Sequence, residues 1–68
     1  MENVTIKVNG MTCGGCVASV ERVLHALDGV GKVDVSLANA EAKVEFDRAR
    51  VSEDALRAAI EDAGYDAA

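Results

Sequence analysis

The order in which two hydrophobic periods alternate along the chain most constrains its fold. Val4, Ile6 and Val8 alternate with Thr5 and Lys7, a period of two that predicts a strand with one buried face. Asn9-Gly10 and then Gly14-Gly15 break the pattern, so residues 9–15 read as a loop. Val17, Val20, Leu24 and Leu27 then recur at helical spacing with Val23 at the edge, while Ser19, Glu21, Arg22, His25 and Asp28 fall on the other sides. Gly29 is the expected stop. A second strand follows, with Val33, Val35 and Leu37 alternating with Lys32, Asp34 and Ser36. In a third, Ala42, Val44 and Phe46 alternate with Lys43 and Glu45. Between them Ala38-Asn39-Ala40 leaves room only for a short hairpin turn, with Asn39 suited to positive φ.

Ser52 is the predicted N-cap of a second helix, with Glu53 and Asp54 in its first turn where the helix dipole favours negative charge. Val51 and Leu56 have the spacing of a hydrophobic staple across that cap. Leu56, Ala59, Ile60 and Ala63 form the buried stripe, Gly64 ends the helix, and Tyr65–Ala68 is left for a short fourth strand. The order β-α-β-β-α-β, with strands wet on one face, predicts an α+β fold. The architecture is a ferredoxin-like βαββαβ sandwich: a four-stranded antiparallel sheet with both helices on one face.

At 68 residues the chain has room for a single domain, residues 1–68. Half of its residues are apolar, enough for a core, and Phe46 and Tyr65 are the only aromatics, so that core is aliphatic. The net charge of −5 and the scattered basic residues argue against a nucleic-acid partner. No apolar run approaches the roughly 20 residues of a membrane span, and none of the features of a secretory signal is present. The expectation is therefore a cytoplasmic domain without membrane contact, in a compartment that keeps thiols reduced.

Against that scaffold Gly10-Met11-Thr12-Cys13-Gly14-Gly15-Cys16 stands out. Cys16 falls at the predicted start of the first helix and Cys13 just before it. Unpaired amides and the dipole at a helix start stabilise a thiolate, the form that binds metal or attacks a disulfide. Three chemistries compete for such a pair. A redox dithiol of the thioredoxin kind belongs to a larger fold supported by a cis-proline, and this chain has no proline. A structural zinc or iron–sulfur site takes four ligands, but only two cysteines exist. His25 lies about 13 Å from Cys16 along the helix axis at about 1.5 Å per residue, so it reads as a surface residue. A transfer site needs only two soft thiolates, an incomplete shell and exposure, and soft sulfur donors favour Cu(I).

The heptapeptide resembles the GMTCxxC motif of heavy-metal-associated domains, the family of small copper chaperones and of the N-terminal metal-binding domains of copper-transporting P-type ATPases. The resemblance extends over essentially the whole chain, to the closing Gly64-Tyr65 pair. It implies Cu(I) bound by Cys13 and Cys16 and passed by ligand exchange to a like domain of an ATPase or a chaperone. It implies no enzymatic activity, and a monomer in which two copies are able to share one ion. It makes Met11 an apolar residue tucked beneath the loop rather than a ligand. Tyr65 sits where bacterial members often carry tyrosine near the metal, to shield it, to hydrogen-bond toward a sulfur, or simply to pack. Gly14 and Gly15 stand where some members have histidine. Thr12 precedes Cys13 where zinc- and cadmium-handling relatives often have a carboxylate, which favours Cu(I) over harder ions. Mercury-binding relatives share the threonine, so Hg(II) is the alternative cargo. Cys13 is expected to be the more exposed sulfur and to meet a partner first.

Overall fold

The computed structural model describes residues 1–67. Its elements are β1 (Glu2–Asn9), α1 (Gly14–His25), β2 (Val30–Ser36), β3 (Glu41–Phe46), α2 (Glu53–Asp62) and β4 (Asp66–Ala67). The strands form one sheet in the order β2-β3-β1-β4, antiparallel at every pairing. This is the expected ferredoxin-like sandwich.

The register explains how one face becomes dry. Val33, Val44 and Val4 lie in one row across β2, β3 and β1, and Val35, Ala42 and Ile6 in the next. Two helices cover these rows, placing Val20 and Leu24 of α1 and Leu56 and Ile60 of α2 in a fully buried aliphatic core. The opposite face carries the intervening rows: Lys32, Glu45 and Asn3; Asp34, Lys43 and Thr5; Ser36, Glu41 and Lys7. Opposite charges face each other in all three rows, a pairing that favours this register by about 0.2–1 kcal/mol per pair. At Gly31 the β2 register shifts by one residue. That bulge lets Val30 and Val33, three apart, both pack against the core.

The second helix forms as its caps predict. Ser52 Oγ accepts from the Ala55 amide at 3.1 Å, and Val51 and Leu56 are both buried. Its end is a Schellman turn: Gly64, at φ +99°, donates to Glu61 O at 2.9 Å, and Tyr65 donates to Ile60 O at 3.3 Å.

Several boundaries differ from the sequence reading. Helix α1 begins at Gly14, because Gly14 and Gly15 take helical conformations instead of breaking the chain, and it ends at His25, before Leu27. Gly29, also at φ +99°, closes a tight turn in which Val30 donates to Leu27 O at 3.4 Å; it is not the helix cap. In the hairpin the left-handed residue is Ala40, at φ +51°, and not Asn39. Its carbonyl is turned to accept from the Val8 amide at 2.9 Å, a contact with β1 that local turn preference does not encode. Leu37 leaves the strand for this turn and is 42% exposed. Tyr65 caps α2 and does not begin the strand, so β4 is two residues, and Ala68 lies outside the described residues.

Gly29 and Gly64 share a backbone conformation but not an environment. A Cβ on Gly29 would lie 2.8 Å from Arg50 Cβ and 3.1 Å from Val51 Cγ1, whereas one on Gly64 would meet nothing within 4 Å. Gly64→Ala is expected to cost about 1–2 kcal/mol from the left-handed backbone alone. Gly29→Ala should cost about 1–3 kcal/mol more from overpacking. Equal urea midpoints for the two variants would show that the crowding at Gly29 is relieved without cost.

Candidate metal centre

The chain leaves β1 through Gly10, whose φ of +102° only glycine adopts without strain, and runs through Met11 and Thr12 into α1. Cys13 is the N-cap of that helix. Its backbone is extended (φ −159°, ψ 175°), and its carbonyl accepts from Cys16 N at 3.0 Å and Val17 N at 3.3 Å. Its side chain makes no capping hydrogen bond, which leaves the sulfur free. Cys16 is therefore not at the helix start but one turn inside it, and N-cap and N3 side chains share a face. The two sulfurs are 3.8 Å apart.

Both cysteines are free thiols; Cys13 is exposed and Cys16 half-buried, in the expected order. Two metal–sulfur bonds of about 2.3 Å span up to about 4.6 Å, so one ion can touch both sulfurs at the observed separation. Among the described residues no cluster of three or more His, Cys, Asp and Glu side chains is placed to hold a metal. His25 ends α1, away from the pair.

The Cys16 thiol is lowered from its ordinary value of 9.0 to about 6. The largest cause is hydrogen bonding from the Thr12 main chain, followed by the Tyr65 hydroxyl, the Thr12 hydroxyl and the Cys13 main chain, with burial opposing them. Thr12 Oγ1 lies 3.7 Å from the Cys16 sulfur. Among the described residues the close side-chain contacts of that sulfur are to Thr12 and Cys13, so Tyr65 acts as a donor at longer range. The first turn of α1 carries no acidic side chain to compete with a thiolate for the helix dipole.

The neighbouring residues fall where the site needs walls and an opening. Met11 and Tyr65 are half-buried and pack against the core. Gly14 and Gly15 are exposed: a Cβ on Gly14 would meet nothing within 4 Å, and one on Gly15 would meet only Cys13 Sγ, at 3.7 Å. Neither glycine needs its conformational freedom here; the absence of side chains leaves the space over the sulfurs bare. Ser19, assigned from the sequence only to a side of the helix, also belongs to this region through a hydrogen bond with Tyr65. Its spacing of three from Cys16 was the available signal.

A sandwich of this topology with two close thiols at an exposed helix start defines a small thiol-based metal-binding domain. The model of the family "Heavy-metal-associated domain" matches residues 5–66, and the chain belongs to that family. It is 48% identical over 67 residues to copper-transporting ATPase 1 of Mus musculus, covering 98% of this chain but 4% of the ATPase. It is 47% identical over 64 residues to the periplasmic component of the mercuric transport protein of Pseudomonas fluorescens, covering 94% of this chain and 70% of the relative. The solved structure of the CopZ metallochaperone superimposes with a TM-score of 0.96 at 39% identity, covering 98% of this chain and 100% of that one.

A thiol whose folded pKa of about 6 lies below its unfolded value of 9.0 stabilises the fold as a thiolate. That contribution is complete above the unfolded value and lost as pH falls through about 6. In the reduced, metal-free protein, Cys16 alkylation by iodoacetamide should therefore titrate with a midpoint near 6. The urea midpoint should fall between pH 9 and pH 5 by more than that of Cys16→Ser. A Cys16 midpoint near 9 would show that the thiolate is not stabilised.

Proposed function

We propose that this chain binds one Cu(I) ion through the Cys13 and Cys16 sulfurs and passes it to another thiol-bearing domain by ligand exchange. The observation that carries this reading is the pair of free thiols 3.8 Å apart at the exposed start of α1. Two soft donors suit a soft monovalent ion, and Thr12 brings no carboxylate oxygen to attract a harder one. An incomplete shell is poor for storage and suited to exchange. The incoming thiolate of a partner bonds the ion before the first sulfur leaves, and the exposed Cys13 is the sulfur it meets first. Gly14 and Gly15 leave that approach open, while Met11 packs beneath the loop and Tyr65 screens the Cys16 side.

The partner in this reading is a heavy-metal-associated domain of a copper-transporting ATPase or of a copper chaperone, and residues 1–68 act as one metal-carrying unit without catalysis. The kinship with a copper-transporting ATPase and the close superposition on CopZ support copper as cargo. The reduced thiols suit the cytoplasm. The protein works as a monomer, and two copies share an ion when the open position accepts a sulfur from the second. Hg(II) is the second reading, supported by the mercuric transport relative.

Titration of the reduced protein with Cu(I) against a competing chelator should give one equivalent retained, lost in Cys13→Ser/Cys16→Ser. Retention equal to that of the double variant would end the copper reading. The same titration with Hg(II), followed by offering the loaded protein to an apo copper-ATPase domain, separates the two cargoes. Transfer of Cu(I) but not of Hg(II) is the expected result; transfer of Hg(II) alone favours the second reading.

A further inference from the structure

The Tyr65 phenol is held between two side chains of α1. Cys16 and Ser19 are three residues apart on that helix, the spacing that stacks side chains on one face. Tyr65 meets this face from the end of α2, where its amide closes the Schellman turn onto Ile60 O at 3.3 Å. Its ring packs on the core and against Gly10, whose Cβ would lie 3.7 Å from ring carbon Cδ1. A ring pinned from two sides keeps one free polar variable, the direction of its hydroxyl proton. That hydroxyl is hydrogen-bonded toward both Cys16 and Ser19. Cys16 strengthens its hold on the proton and Ser19 weakens it. This is the pattern of a phenol that donates to sulfur and accepts from serine.

We propose that Ser19 is a positioning residue of the metal site: its hydroxyl donates to the phenol oxygen of Tyr65 and so turns the phenol proton onto the Cys16 sulfur. The inference rests on Cys13 and Cys16 being the ligands. A donor on a thiolate draws off charge that the sulfur would otherwise give to an ion, and hydrogen bonds to charged acceptors are the strong kind. The ion is then held less tightly and released more readily to an incoming thiolate. Ser19 has one proton and a rival acceptor, the main-chain carbonyl of Gly15 four residues back. The two uses of that proton predict different results.

The chain has one tyrosine and no tryptophan, so tyrosine emission reports Tyr65 alone. The test measures Cu(I) retention against a chelator at about pH 8.5, where an ordinary thiol is half or more ionised. It compares the parent chain, Ser19→Ala, Tyr65→Phe and the double variant, with tyrosine emission of the metal-free reduced protein as the second readout. Tyr65→Phe should tighten retention about tenfold, and Ser19→Ala about threefold. Ser19→Ala should also change the emission, and should add nothing on top of Tyr65→Phe. Ser19→Thr, which keeps the hydroxyl, should restore both readouts. Unchanged retention in Ser19→Ala, or effects that add, would assign the serine proton to the Gly15 carbonyl and overturn the proposal, leaving the ligands in place. A parent chain that retains Cu(I) no better than Cys13→Ser/Cys16→Ser would overturn the ligand assignment and this inference together.

Discussion

Burial of one aliphatic face of the sheet under two helices is the constraint on which the rest depends. Ile6, Val8, Val44, Leu24, Leu56 and Ile60 exclude water completely, with Phe46 the one aromatic among the buried side chains. Interiors pack at near-crystalline density, so this contact sets the positions of α1 and α2 against the central strands. The functional loop has little packing of its own. Its place is set by the end of β1 on one side and the first buried turns of α1 on the other.

At that junction a feature of all helices becomes chemistry. A helix start has amides with no partner inside the helix. In α2 the Ser52 hydroxyl satisfies one of them, and acidic side chains fill the first turn. In α1 the cap is Cys13, its side chain makes no capping bond, and the first turn carries no acid. The stabilisation that Ser52, Glu53 and Asp54 give one helix is forgone in the other, and the positive end of α1 is left to favour a thiolate. The same local physics thus serves stability at one helix start and ligand chemistry at the other.

Two glycines with the same backbone conformation divide in a similar way. Gly29 is required by crowding, because the Asp47 amide donates to its carbonyl at 2.7 Å and Arg50 leaves no room for a Cβ. Gly64 has open space around it and is required by the turn that it closes. That turn sets Tyr65 beside Cys16, so a helix terminator at one end of the chain becomes part of a site begun at the other.

The strand alternations, the α2 cap and the cysteine pair at a helix start were legible in the sequence, because each depends on which side of one element is buried or on a local hydrogen bond. Periodicity encodes exactly that much for the face rows Val4–Ile6–Val8 and Ala42–Val44–Phe46. The early start of α1 was hidden because Gly14-Gly15 is also a turn signal, and helix entry is decided by the Cys13 carbonyl accepting from Cys16 and Val17. The left-handed Ala40 was hidden because its partner, Val8, lies in another strand. By itself the sequence determined the order of elements and the two sulfur donors. Only the tertiary structure decided which residues surround those donors, since Tyr65, Gly10, Cys16 and Ser19 meet through closure of the sheet and docking of both helices, and no local preference encodes a contact between such distant segments.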